Sequence, residues 1–317
     1  MAETKIFYAS DIHGSDICFR KFISAGKFYG VDILVLGGDI TGKFVIPVVE
    51  QSDGSYAYEL YGERKKVGSG EELKTIETKI RDIGYYPYRT TVSEFEDLQK
   101  APDRVNELFT KLMVESVEKW MTLLESNMKG KNIKCFVMPG NDDRLEIDRV
   151  LEKNEFALNP EGRVERLDSI HEMISTGYSN MTPWKCPRDI TEEELGKKID
   201  SMVSQVKDMK NCVFNFHCPP FDSEIDMAPH LDADMRPMIK GGGIEMIPVG
   251  STAIRTSIEK HQPLLGMHGH IHESKGFKKI GRTLCVNAGS EYGEGYLRGI
   301  IIVLDDNRVK KHQFTSG

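Results

Sequence analysis

Short apolar runs recur along this chain at intervals that alternate with helix-like stretches. Lys5 to Ala9 is a β-prone run, and residues from Asp16 to Gly26 carry a helix pattern. Ile33-Leu34-Val35-Leu36 then forms a continuous apolar strand that ends in Gly37-Gly38-Asp39. Apolar strands separated by helices predict a parallel sheet covered on both faces. The rhythm breaks between residues 43 and 100. Phe44 to Glu50 and Tyr56 to Tyr61 flank Ser52-Asp53-Gly54-Ser55, a hairpin signal because Asp-Gly tolerates positive φ. A polar helix over Glu71 to Asp82 and the aromatic cluster Tyr85, Tyr86 and Tyr88 follow, so residues 43–100 read as an insertion or cap.

Pro102 to Met128 reads as a long amphipathic helix, with Val105, Leu108, Leu112, Val117, Trp120 and Leu124 at helical spacing. The strand pattern returns at Lys134 to Met138, at Cys212 to Phe216 and at Leu264 to Met267, with a helix expected over Glu192 to Met209. Phe221 to Gly250 is irregular and rich in Pro, Gly and Met. Gly250-Ser251-Thr252 caps a helix running to about His261. The tail offers strands at Thr283 to Asn287, Leu297 to Leu304 and Arg308 to Phe314, the last two joined by Asp305-Asp306-Asn307. The 317 residues are expected to form a single domain, 1–317, with the 43–100 cap inside it.

Composition narrows the class. Hydrophobic residues are 39% and charged residues 29%, as in an ordinary globular chain and too apolar for a disordered one. The net charge of -7 lacks the basic footprint of a protein that grips a nucleic-acid backbone, which argues against nucleic acid as partner. No run approaches the ~18 apolar residues needed to span a bilayer, so no membrane partner is expected. The first strand leads directly into a chemically loaded loop that a cleaved leader would remove, so no signal peptide is expected. The six cysteines (Cys18, Cys135, Cys186, Cys212, Cys218 and Cys285) form no CxxC pair, and several sit inside apolar runs. They read as buried free thiols in a cytoplasmic protein.

One pattern carries the chemistry. Five β-prone runs end in residues able to bind metal: Asp11 and His13, then Asp39, Asn141, His217, and finally His270 and His272. The carboxyl ends of strands in α/β sheets gather the loops that bind ligands. These imidazole and oxygen donors suit a pair of divalent cations, because one zinc ion takes only about four ligands. Asp11/His13 and His270/His272 stand two residues apart, a spacing that in extended backbone turns both side chains to one face. Taken singly, a Gly-Asp or Gly-Asn at a strand end is a turn; the ordered set is the signal.

Asp11-Ile12-His13, Gly38-Asp39, Gly140-Asn141, His217 and Gly269-His270-Ile271-His272 together resemble the signature of the calcineurin-like metallophosphoesterases. The resemblance implies a four-layer α/β/β/α sandwich with two mixed sheets, here with an inserted hairpin/helix cap. It implies Asp11, His13 and His272 on one metal, Asn141, His217 and His270 on the other, and Asp39 bridging both. His268 lies outside the signature and is assigned to packing or support of the ligands. The expected cofactors are two divalent ions, compatible with Mn, Fe, Zn, Co or Ni. The expected reaction is hydrolysis of a small-molecule phosphoester, such as a nucleotide, by a hydroxide bridging the two ions.

The sequence departs from the family at Asp142, where the motif usually carries a histidine; Asp143 fills the acidic position that follows. Both are candidate catalytic residues. An aspartate with an ordinary pKa of about 3.9 is ionised where an imidazolium would donate a proton. An anionic Asp142 repels a dianionic monoester more than a monoanionic diester, which favours phosphodiesters or esters with good leaving groups. His230 is the candidate substitute acid, against the reading of a solvated loop histidine. Tyr85, Tyr86 and Tyr88 are candidates to stack on a planar substrate group, or else pack the cap onto the core. Arg255 is a candidate phosphate contact or a surface ion pair. A phosphomonoesterase or nuclease of the same superfamily and a non-catalytic binding scaffold are the competing functions; a scaffold typically loses ligands, and here every ligand position is filled.

Overall fold

The structure, a computed structural model, describes residues 3–317. Two mixed sheets face each other. The first runs Arg308–Ser316, Arg298–Asp305, Thr4–Ala9, Ile33–Gly37 and Lys134–Met138, with the last three strands parallel and each of the first two antiparallel to the strand that follows it in this order. The second runs Gly276–Ile280, Thr283–Asn287, Leu265–His268, Cys212–Phe216, Glu172–Thr176 and Val164–Arg166, parallel in its four central strands and antiparallel at both edges.

The burial patterns explain the layering. Ile33–Gly37 and Cys212–Phe216 are buried at every position, as strands covered on both faces must be. Ile6, Tyr8, Ile33, Val35 and Phe136 from one sheet pack against Met173, Val213, Leu265, Met267 and Val286 from the other. On the outer face of the first sheet, the helices Asp16–Tyr29 and Pro102–Met128 bury Phe19, Phe22, Val117 and Leu124 among others. On the outer face of the second, Glu192–Val203 and Thr252–His261 bury Leu195, Ile199, Ile254 and Ile258. The result is the expected four-layer α/β/β/α sandwich.

Residues 45–91 build a separate four-stranded sheet in the order Glu63–Val67, Tyr56–Leu60, Val45–Glu50 and Tyr86–Thr91. The helix Glu71–Asp82 packs on it over a small core of Val48, Tyr58, Leu73 and Ile80. The sheet joins the main body where Tyr86, buried, accepts the Gly42 N–H at its hydroxyl (2.7 Å).

Some elements differ from the sequence reading. The helix expected to reach Met209 stops at Val203, and the chain turns so that Lys207 N–H bonds the Glu172 carboxylate (2.8 Å). The irregular segment 221–250 holds two short two-stranded ribbons, Met227–Pro229 with Met246–Pro248 and Ile239–Lys240 with Gly243–Ile244, the second wholly exposed. All six cysteines are free; all but Cys186 are buried. No helix among the described residues is long and apolar enough to cross a membrane.

Candidate metal centre

The carboxyl ends of five strands meet at one edge of the sandwich. Asp11 and His13 follow Thr4–Ala9, Asp39 follows Ile33–Gly37, and Asn141 follows Lys134–Met138. His217 follows Cys212–Phe216, and His270 and His272 follow Leu265–His268. The loops are stitched pairwise by backbone bonds. Asp11 N–H donates to Gly38 O (2.9 Å) and His13 N–H to Asp39 O (3.0 Å), while Gly269 N–H donates to His217 O (2.9 Å). Asn287 clamps the last loop, its amide donating to the carbonyls of Gly269 and Ile271 (3.2 and 3.0 Å).

Extended backbone does not produce the convergence, contrary to the two-residue-spacing argument. Asp11, His13, Asp39 and His270 have φ of 57°, 37°, 51° and 67°, in the left-handed region. The side chains are aimed by tight turns that L-residues enter only at a cost. Gly140 shows how tightly the loops pack: a Cβ there would run into the Asp39 amide and carboxylate.

Asp11, His13 and His272 each place a ligand atom within 4.8 Å of the others, and Asp39, His217 and His270 do the same. Asp39 addresses both groups, with Oδ1 at 3.3 Å from His217 Nε2 and Oδ2 at 3.6 Å from His13 Nε2. His13 Nε2 and His272 Nε2 lie 3.0 Å apart. Asn141 Oδ1 is buried without a donor, while its Nδ2 is held by Asp189 Oδ1 at 2.9 Å. His217 donates Nδ1–H to Gly37 O (2.9 Å), which leaves its buried Nε2 without a hydrogen-bond partner. Lone-pair donors of this kind, buried and unpaired, fit divalent cations.

The electrostatics of the cluster are strongly perturbed. Burial opposes ionisation of Asp11, yet the His217 and His272 imidazoles hold it down at about 2. Asp39 is likewise held well below the usual carboxylate range, against burial, by His217 and His13. Burial disfavours the charged His217, but Asp39 and Asp11 raise it to about 10. Burial pushes His13 down to about 3 and His270 down to about 4. Perturbation by burial together with specific charge partners is a mark of functional sites.

Asp142 and Asp143 separate into different roles. Asp142 stands at the mouth, its Oδ2 at 4.0 Å from His13 Nδ1 and 3.1 Å from Lys43 Nζ, and it joins His13 and Asp39 in a third, overlapping group of donors. Asp143 is fully buried and accepts from Ile40 N–H (3.0 Å), Thr41 N–H (2.8 Å), Thr41 Oγ–H (2.5 Å) and Gly140 N–H (2.7 Å). Its carboxyl, raised to about 6 by burial and by Asp39, ties the loops after Ile33–Gly37 and Lys134–Met138 together.

The remaining candidates fall outside the cluster. His230 Nδ1 bonds Glu245 (2.7 Å) in the ribbon segment, and Arg255 pairs with Glu259 (2.6 Å). His268 is buried, and its Nδ1 lies 2.8 Å from Phe216 O and 3.1 Å from Cys218 O, the carbonyls on either side of His217. Tyr86 is sealed in the core and Tyr88 donates to Glu94 (2.8 Å), which leaves Tyr85 half-buried with its ring edge-on to Phe44 at 5.4 Å. Sequence reasoning missed Lys43, Asp189, Asn287 and Tyr292, whose ring lies 4.8 Å from that of His13. None belongs to a recognisable spacing.

Two facing mixed sheets between helices, with five loops delivering this ordered donor set to one edge, match the fold that the sequence resemblance implies. Within it, the chain belongs to the same family as the uncharacterized protein MJ1162 of Methanocaldococcus jannaschii, 34% identical over 177 residues that span 55% of this chain and 72% of the relative. Two solved structures share the fold over 99% of this chain and 99% of their own. One is 18% identical with a TM-score of 0.57; the other, TT1561 of Thermus thermophilus, is 14% identical with a TM-score of 0.53. No family model matches the chain.

Proposed function

We propose that the protein is a dinuclear metal-dependent phosphoesterase that hydrolyses a small-molecule phosphate ester, with a preference for phosphodiesters such as those of nucleotides. The observation that carries this reading is the pair of donor groups around Asp39, whose two carboxylate oxygens address opposite groups. Asp11, His13 and His272 would hold one ion, and Asn141, His217 and His270 the other, with Asp39 shared. Two divalent ions so held supply an activated water and neutralise phosphate oxygens.

The chain's own residues set the rest. His217 is fixed through Gly37 O and Asn141 through Asp189, so both present their donor atoms without rotation. Asp142 supports the diester preference, because a carboxylate at the mouth meets a dianionic monoester less favourably than a monoanion. Lys43 at 3.1 Å offsets part of that charge.

The test is hydrolysis of bis-p-nitrophenyl phosphate and p-nitrophenyl phosphate after metal removal and return of Mn²⁺. Metal-restored activity favouring the diester is expected, and the Asp142→His variant should shift the ratio toward the monoester. Bound metal with no activity on either ester or on nucleotide esters would refute the reading.

A further inference from the structure

The mouth of the donor cluster holds one feature that the two-ion reading leaves unused. Among the described residues, Lys43 is the only lysine or arginine within ion-pair distance of any cluster residue, and it reaches the cluster through Asp142. Its backbone is not free to wander. The stretch from Asp39 to Lys43 is anchored by the Ile40 and Thr41 amides on Asp143 and by the Gly42 amide on the Tyr86 hydroxyl. Asp142 is anchored too, its N–H donating to Asp39 Oδ1 (3.0 Å). An ion pair whose two members are fixed from separate loops at a site mouth is placed, not incidental.

We propose that Lys43 binds the phosphate group of the substrate, with Asp142 as its positioning partner. The inference rests on the phosphoesterase reading of the same cluster. An ammonium carries three donors on a compact charge. One N–H suffices for Asp142 Oδ2, which leaves two for a non-bridging phosphate oxygen. The side chain is 39% exposed, so an entering anion can reach it. Asp142 then orients the cation, where a lysine without a partner would sample many rotamers.

The experiment measures inorganic phosphate binding by calorimetry on Mn²⁺-loaded protein, alongside ester kinetics and metal content. Lys43→Ala should weaken phosphate binding roughly ten- to hundredfold, as expected for loss of a charge-assisted contact, with metal content unchanged. Lys43→Arg should recover most of it. In kinetics the Ala variant should lose kcat/KM by a similar factor. A Lys43→Ala protein that binds phosphate within about twofold of wild type would overturn the proposal, as would loss of metal in that variant. The two readings separate cleanly. Wild-type protein that binds phosphate through Lys43 but cleaves no ester sinks the phosphoesterase function alone; an active enzyme indifferent to Lys43→Ala sinks this proposal alone.

Discussion

Four of the cluster residues, Asp11, His13, Asp39 and His270, hold left-handed backbone, a conformation that costs a non-glycine residue on the order of 1–3 kcal/mol. Such strain persists only where neighbours over-determine it, and here the stitched loop backbones do so. Asp189 extends the same logic to a side chain. It accepts from Asn141 Nδ2 (2.9 Å) and is itself held by Thr182 N–H and Cys186 N–H (3.0 and 2.9 Å). Removing it would let the Asn141 amide rotate and lose its aim. Asp189→Ala is therefore expected to weaken metal affinity roughly 10–100-fold, and activity should return at excess Mn²⁺. Titration of the stripped variant with Mn²⁺ checks this, and wild-type affinity would exclude an orienting role. The donor residues themselves are legible in the sequence because imidazoles and carboxylates at strand ends are rare as an ordered set. Asp189 and Lys43 are not, because their roles exist only through partners on distant loops.

At the scale of elements, periodicity serves the long pieces and fails the short ones. The helices Glu71–Asp82 and Pro102–Met128 agree with the sequence reading at both ends. The strand Glu172–Thr176 escapes it because the segment opens on Glu and closes on Ser and Thr, and its burial arises from tertiary partners: Glu172 receives Lys207 N–H and Thr176 donates to Glu161. Helix ends show a similar long-range device. Glu192, at the start of Glu192–Val203, accepts from Ser251 Oγ–H (2.6 Å), Thr252 N–H (3.0 Å) and Ala253 N–H (2.9 Å) at the N-terminus of Thr252–His261. A carboxylate there meets the positive end of the helix dipole and caps orphan donors. Glu192→Ala should lower stability by about 1–2 kcal/mol, read as a shift in the urea midpoint. Metal content should stay unchanged, since the contact lies outside the donor cluster; a parallel fall in metal binding would assign this helix a part in positioning His270.

For the whole molecule, the donor cluster joins charged groups from both sheets, so protons and metal act on the sandwich as a unit. In protein stripped of metal, His13 and His270 are held neutral with pKa values near 3 and 4, below the ordinary 6.5. Their contribution to stability is present above pH 6.5 and is lost as pH falls toward those values, because the unfolded chain takes up the protons first. His217 has the opposite sign. Raised to about 10, it contributes fully below pH 6.5 and loses that contribution as pH rises through 10. Asp11, at about 2, stays ionised across this range. The stripped protein is thus expected to melt highest near pH 6.5 and lower on either side. With His217 as a ligand, as proposed, divalent metal should reverse the alkaline limb, since ligation needs His217 neutral and competes with its proton. The melting temperature should rise on adding Mn²⁺, and the gap between loaded and stripped protein should widen from pH 6 to pH 9. Thermal melts with and without Mn²⁺ across that range decide it: a gap that is constant or narrows with rising pH would show that His217 does not exchange a proton for metal.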